Sequence, residues 1–367
     1  MDFINLKKQQ NKIKDLIDSK IQRVLSHGKY ILGPEVKEIE DRLSSYVGRE
    51  YAIGVSNGTD ALILSLMAIG IGRGDAVFLP SFTFFSTAES VSFLGATPIF
   101  VDIDEDSYNI SSEHLEIMIK KVIEDKVYTP KAIIPVDLFG LPANYGEISK
   151  IAEKYNLKVI EDGAQSFGGS LGGKMCCSFG DLSTTSFFPA KPLGCYGDGG
   201  MVFTDSEEYY QKLLSLRVHG KGSTKYDNIS IGMNARLDTI QAGILLAKFS
   251  IFKDEVEKRQ IVAERYNKLL NGKVIVPKVE SRYRSAWAQY TIRVKNRDRV
   301  VYELKKNSIP TAIYYNLPLH KQKAYLLDND QVLPTTEKVC KEVLSLPFSP
   351  YISEDEQIEV AKIINNI

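Results

Sequence analysis

Short apolar runs recur along the first two hundred residues, each followed by a stretch in which apolar positions return every three or four residues. The runs predict strands at 51–55, 76–80, 98–102, 131–136, 158–162, 182–188 and 200–204. The intervening periodicity predicts helices near 59–69, 86–94, 112–121, 144–155 and 206–217, because a 3.6-residue repeat gathers those side chains on one face. Strands alternating with helices build an α/β sheet covered on both sides. An amphipathic helix over 6–25 precedes the first strand, and a long helical segment follows Arg236 to about residue 270, with Ile240, Ile244, Leu245 and Phe249 at helical spacing. Strands at 273–279 and 288–294 and a helix over 299–307 then read as a smaller α+β unit. The expected organisation is a large α/β domain, with its N-terminal helix, over 1–245 and a smaller α+β domain over 246–367. Internal repeats and low-complexity tracts are absent.

Candidate chemistry concentrates in the turns after three strands. Ser186-Phe-Phe-Pro-Ala-Lys191 brings a lysine off a strand, a proline ends that strand, and the glycines behind it are expected to permit close approach of a flat ligand. A lysine held this way reads as a Schiff-base nucleophile; the alternative is a solvated loop lysine. Upstream by 29 residues, Asp162 closes the apolar run before Gly-Ala-Gln165-Ser166. An acid at the carboxyl end of a buried strand points into the crevice where open α/β sheets bind ligands. Pyridoxal phosphate needs such an acid beside its pyridine nitrogen, which must stay protonated for the ring to act as an electron sink. Gln165 is placed to hydrogen-bond the ring hydroxyl. Taken alone, an Asp ending a strand is more often a helix cap or a metal ligand, and Lys191 downstream moves the balance. The third turn, Val55-Ser-Asn-Gly58-Thr59-Asp60, leads from a strand into an apolar helix. Free N–H groups and the helix dipole make a phosphate seat there, with the Thr59 hydroxyl and Ser186 as further ligands; an ordinary N-cap is the alternative. No Walker lysine follows and the turn is not GxGxxG, so nucleoside triphosphate and dinucleotide readings lose support.

These motifs, with Phe3-Ile-Asn-Leu-Lys, Tyr30-Ile-Leu-Gly-Pro-Glu, Asn234-Ala-Arg236-Leu-Asp-Thr-Ile-Gln241 and Pro318-Leu-His320, resemble the DegT/DnrJ/StrS family of PLP-dependent nucleotide-sugar aminotransferases over nearly the whole chain. The resemblance implies a fold-type I transferase with a seven-stranded, mostly parallel sheet. It implies that Lys191 bonds pyridoxal 5'-phosphate, that Asp162 pairs with the pyridine nitrogen and Gln165 with the ring oxygen, and that Gly58, Thr59 and Ser186 hold the phosphate. Phe84, in Pro80-Ser-Phe-Thr-Phe-Phe, stands where the family stacks an aromatic ring on the cofactor. Asn234 and Arg236 are expected to reach the neighbouring subunit's site, Asn234 to the phosphate and Arg236 to the substrate, which requires a homodimer. Their local reading is an N-cap and a surface arginine. His219, Tyr315 and His320 recur near substrate in similar proteins, although a lone histidine is as readily a hydrogen-bonded structural one. One departure stands out: Ile313-Tyr314-Tyr315-Asn316 occupies a segment where relatives carry His-Tyr-Pro, so Tyr314 replaces a histidine associated with substrate contact.

Composition excludes more than it adds. The 46 basic and 46 acidic residues cancel, leaving no electrostatic footprint for nucleic acid or an anionic membrane. Four cysteines, at 176, 177, 195 and 340, lack metal-ligand spacing, so no metal is expected and they read as reduced cytoplasmic thiols. No signal peptide is recognisable at the start, and no apolar run reaches the ~18 residues of a membrane span. The implied activity is transfer of an amino group from glutamate to a nucleotide-linked keto sugar. The loop Pro-Leu-Gly-Cys-Tyr-Gly-Asp after Lys191 resembles members that aminate carbon 3, whereas carbon 4 members tend to carry His in place of Phe188 and a shorter loop ending Thr-Gly-Glu. The overall wording resembles enzymes for UDP-linked 2-acetamido-3-keto sugars destined for surface polysaccharide or lipid A, with a dTDP-3-keto-6-deoxyhexose or a 4-keto UDP-sugar as alternatives. A PLP-dependent sugar dehydratase would carry histidine in place of Lys191. A non-catalytic PLP-binding regulator of the same fold is the remaining competitor.

Overall fold

The computed structural model describes residues 1–224, 226–325 and 331–367. Three helices come first: α1 (Leu6–Lys12), α2 (Lys14–His27) and α3 (Pro34–Val47). The expected single N-terminal helix is interrupted at Ile13, whose φ of −127° leaves the helical region. α3 is additional to the expected elements, and its signals are ordinary ones: Pro34 in the first turn and Gly48 in the left-handed conformation at the end.

The alternation then follows as β1 (Tyr51–Val55), α4 (Gly58–Ala68), β2 (Asp75–Pro80), α5 (Ser86–Phe93), β3 (Thr97–Val101), α6 (Ser112–Asp125), β4 (Thr129–Ile133), α7 (Tyr145–Tyr155) and β5 (Lys158–Asp162). A small hairpin, β6 (Ser170–Leu171) and β7 (Lys174–Met175), intervenes before β8 (Leu182–Ser186), β9 (Gly200–Thr204) and α8 (Glu207–Leu216). Seven strands form one sheet in the order β1-β9-β8-β5-β4-β2-β3. Only β9 runs against its neighbours, pairing antiparallel with both β1 and β8, while the other pairings are parallel. The mostly parallel strands therefore point their carboxyl ends to one edge, where β1, β2, β5 and β8 release the chain into the candidate turns. α4 shows why the sheet is covered so tightly. Ala61 through Leu66 are all buried and all apolar but Ser65, so the middle of this helix is covered on every side while its first turn is half-exposed.

The chain continues through α9 (Thr239–Leu270), β10 (Tyr283–Arg284), β11 (Tyr290–Arg293), α10 (Arg297–Lys306), α11 (Pro334–Glu342), β12 (Val343–Leu346) and α12 (Glu354–Asn365). The 32 residues of α9 span about 48 Å at 1.5 Å per residue. Its Leu245, Leu246, Phe252 and Val256 pack with Phe167 and Phe187, whereas Val262, Ala263, Tyr266 and Leu270 pack with Tyr290, Leu344 and Val360. One rigid helix thus belongs to two cores. The expected strand at 273–279 is irregular chain, joined to β11 only through the bridge between Ile275 and Arg293. β10 instead extends the β6–β7 hairpin. Among the described residues, no helix is long and apolar enough to cross a membrane.

Candidate active site

Asp162, the last residue of β5, is 5% exposed. Its Oδ2 accepts a hydrogen bond from Thr87 Oγ1 at 3.0 Å and its Oδ1 one from the Ala164 amide at 3.2 Å. Burial pushes its pKa up, and those two donors and the charge of Lys191 pull against it. Lys191 is held by a tight turn in which its N–H donates to the Phe188 carbonyl at 2.9 Å. Burial lowers the pKa of its amine and Asp162 opposes that shift, so the two groups form one electrostatic unit. The loop beyond is fastened from behind. Tyr196 N donates to Gln241 Oε1 at 2.9 Å and Gln241 Nε2 donates back to the Tyr196 carbonyl at 3.2 Å, so the start of α9 clamps the segment that carries the lysine.

Gln165 is 4% exposed and its two ends differ. Oε1 accepts from the Phe139 amide at 2.7 Å, whereas Nε2 meets, among the described residues, only the Tyr315 hydroxyl, at 3.5 Å. Donor capacity therefore remains on the amide side. Tyr315 is half-buried near Asp162, and desolvation first and the charge of Asp162 second raise the pKa of its phenol. Its ring lies 6.3 Å from that of Phe84 and 6.1 Å from that of Phe82. Phe82 is fully buried but Phe84 is 56% exposed, an aromatic face presented at the edge of this cluster.

The opposite end of the cluster is the start of α4. Asn57 caps the helix by accepting from the Asp60 amide at 2.8 Å, which leaves the first N–H groups without helical partners. Ser186 stands near those amides, since a methyl group on Gly58 would lie 2.7 Å from Ser186 Cβ and 3.3 Å from its Oγ, and Thr59 belongs to the same first turn. The arrangement is an anion seat made of amides, hydroxyls and a helix dipole.

The glycines after Lys191 do not serve the ligand approach expected of them. A methyl on Gly200 would fall 2.4 Å from the Asn57 carbonyl oxygen, one on Gly194 within 2.6 Å of the Phe188 carbonyl oxygen, and one on Gly197 within 2.9 Å of Gln241 Nε2. They let chain pack on chain, and Gly200 sets the anion seat against β9.

Four predicted residues lie outside this group. His320 is fully buried, with Nδ1 at 2.7 Å from Ser81 Oγ and Nε2 at 3.1 Å from Glu337, so neither ring nitrogen is left for a substrate. It is the structural histidine that the sequence left open. His219, Asn234 and Arg236 lie between α8 and α9, where the chain doubles back: His219 N donates to Met233 O at 2.9 Å and Ala235 N to Arg217 O at 3.1 Å. His219 and Asn234 are exposed, and Arg236 is half-buried with its Nε unpartnered. No hydrogen bond or ion pair among the described residues joins these three to Lys191 or Asp162 within one chain. Thr87, by contrast, touches the acid directly and had no motif to announce it. Tyr314, the departure from His-Tyr-Pro, is half-buried with its ring edge-on to Phe3 at 6.4 Å.

The sequence pattern of the DegT/DnrJ/EryC1/StrS aminotransferase family matches residues 11–365. A UDP-2-acetamido-2-deoxy-3-oxo-D-glucuronate aminotransferase of Pseudomonas aeruginosa is 48% identical over 96% of this chain and 96% of its own. A DegT/DnrJ/EryC1/StrS aminotransferase from Brucella abortus, solved by crystallography, superposes with a TM-score of 0.98 at 50% identity over 100% of this chain and 99% of that one. NtdA from Bacillus subtilis, solved with bound cofactor PMP, superposes with a TM-score of 0.89 at 30% identity over 100% of this chain and 85% of that one.

Proposed function

This chain belongs to the DegT/DnrJ/EryC1/StrS aminotransferase family, whose cofactor is pyridoxal 5'-phosphate, and from that premise we propose that it aminates carbon 3 of a UDP-linked 2-acetamido-3-keto-hexose or its uronic acid. Glutamate is the proposed amino donor, and surface polysaccharide or lipid A the proposed destination. The observation that carries the chemistry is the meeting of an amine, a buried acid, an amide donor and an anion seat at one sheet edge. The fit to the cofactor rests on that donor set. Gly58, Thr59 and Ser186 would take the phosphate, Asp162 the pyridine nitrogen, Gln165 the ring oxygen and Phe84 one face of the ring.

When bound, the cofactor supplies a carbonyl carbon that takes up the amino group and a ring that withdraws electrons from it. Asp162 provides the negative charge that keeps a ring nitrogen protonated, and Thr87 and the Ala164 amide favour its ionised form. Lys191 would hold the cofactor through Nζ. The same amine would take the α-proton of the amino donor and supply a proton to carbon 3 of the sugar. Its burial favours the neutral amine that the first of these tasks requires.

Asn234 and Arg236 complete the site of a second subunit in this reading. They sit on a stretch that also exposes Ile229 (69%) and Ile231 (88%), apolar side chains that a subunit interface would cover. Carbon 3 is favoured by the Pseudomonas relative and by the Lys191 loop, whose length shapes the wall against the hexose. Protein loaded with pyridoxamine phosphate, mixed separately with UDP- and dTDP-linked 3-keto and 4-keto sugars, should regain the aldehyde-form spectrum fastest with the UDP-linked 3-keto sugar. A preference for a 4-keto sugar overturns the position, and a preference for the dTDP series overturns the nucleotide.

A further inference from the structure

Glu161 and Asp162 are consecutive in β5, so their side chains leave opposite faces of the sheet. On the face away from the candidate site, Glu161 meets Asp137, and both are fully buried. Asp137 Oδ1 accepts from the Ala143 amide at 2.9 Å and the Tyr145 hydroxyl at 2.8 Å, and Oδ2 accepts from Ser166 Oγ at 2.7 Å. Glu161 Oε1 and Oε2 accept from the amides of Cys177 and Phe179 at 2.5 and 2.7 Å. An oxygen of each carboxyl and the Cys176 sulfur lie within 4.8 Å of one another. Neither acid forms an ion pair with a lysine or arginine among the described residues.

Two unit charges about 4 Å apart at an effective dielectric constant near 20 repel by about 4 kcal/mol, which favours one proton between two buried carboxyls over two charges. The same pair reaches the proposed cofactor residues through short connections. Asp137 N donates to the Asp162 carbonyl at 3.1 Å, Phe139 N two residues on holds Gln165 Oε1, and Ser166, which Asp137 holds, follows Gln165 in the chain. We infer that Asp137 and Glu161 share one proton and together act as positioning residues for Asp162 and Gln165.

Other groups face the pair from several elements. Tyr145 of α7, Cys176 and Cys177 are kept neutral because burial raises their pKa values, and Lys174 of β7 acts on Glu161 only at a distance. Burial raises both acids, and the charge of Asp137 raises Glu161 further. The pair thus keeps a proton that the unfolded chain releases above the usual carboxylate range near pH 4. The sign follows: the folded protein binds the extra proton, so its stability falls as pH rises through that window, about tenfold in the unfolding constant per pH unit.

The inference rests on the roles proposed for Asp162 and Gln165, and its test separates the two. Asp137→Asn places an amide donor against an ionised Glu161 and needs no shared proton, whereas Asp137→Ala leaves Ser166, Tyr145 and the Ala143 amide unpaired. Unfolding of the cofactor-free proteins between pH 5 and 9 should show one proton less of pH dependence in Asp137→Asn than in wild type; an unchanged dependence overturns the shared proton. Pyridoxal phosphate affinity, read from its bound absorption band, should fall about tenfold or more in Asp137→Ala and be restored in Asp137→Asn. Wild-type affinity in Asp137→Ala overturns the positioning role. If that protein does not fold, Ser166→Ala replaces it, with weaker affinity expected and unchanged affinity counting against the inference. Normal turnover in Asp162→Asn would sink the proposed site and leave the proton result standing.

Discussion

Thr87 donates to Asp162 from 75 residues upstream, and neither its composition nor its spacing distinguishes it from any other residue in the first turn of α5. A lost hydrogen bond to a charged group is worth about 1.5–3 kcal/mol. Thr87→Val, which keeps the shape and removes the donor, should therefore slow single-turnover amine transfer at least about tenfold while the protein stays folded. An unchanged rate would release Asp162 from any dependence on Thr87. Asp162→Asn should retain bound cofactor and lose most of the transfer rate, because the amide cannot supply the charge that holds the ring nitrogen protonated; spectra and stopped-flow rates on one sample check both halves. Borohydride reduction followed by peptide mass spectrometry should find the pyridoxyl group on Lys191, and a label elsewhere would displace that lysine. The pH dependence has a definite sign. Burial lowers the amine pKa, so the rate should fall toward acid through a value below the usual lysine range, as Nζ becomes protonated.

At the scale of elements, the approach between β9 and the turn into α4 explains why glycine stands at the start of β9. Val55 pairs with Gly200 across the β1–β9 ladder, and the Asn57 carbonyl closes over that glycine. Gly200→Ala should destabilise the protein by about 1–3 kcal/mol through overpacking and weaken phosphate-dependent cofactor binding in parallel. Denaturant midpoints and pyridoxal phosphate titration would show it; a stable variant with normal affinity would mean that the turn yields at no expense. The strands at 51–55, 158–162 and 200–204 agree with the sequence reading to the residue, because each is an apolar or β-prone run between turns. The run at 273–279 has the same local pattern but pairs by one bridge, Ile275 with Arg293, on the edge of β11 opposite β12, and then leaves the ladder. Local pattern records the tendency to extend; a partner edge decides whether a strand forms.

For the whole molecule, the test is whether two chains share a site. Asn234 and Arg236 make no polar contact with Lys191 in their own chain, and the proposed dimer gives both a destination. Lys191→Ala and Arg236→Ala proteins, each inactive alone, should regain part of the activity when mixed under conditions of subunit exchange, because one hybrid site then has both residues intact. Proven exchange with no recovery would make each protomer self-sufficient.

The sequence by itself determined the seven strands of the main sheet and the helices between them, the turns that carry Lys191, Asp162 and Gly58, and the family, because apolar periodicity and turn chemistry are local properties written in consecutive residues. What only the tertiary structure decided is who faces whom. His320 became a bridge between Ser81 and Glu337, the glycines near 200 became chain-to-chain contacts, Thr87 reached Asp162, and Asp137 came to lie against Glu161. Each of these joins positions far apart in the chain, and nothing in a local run of side chains encodes which distant residue will fill the other half of a hydrogen bond or the space beside a missing Cβ.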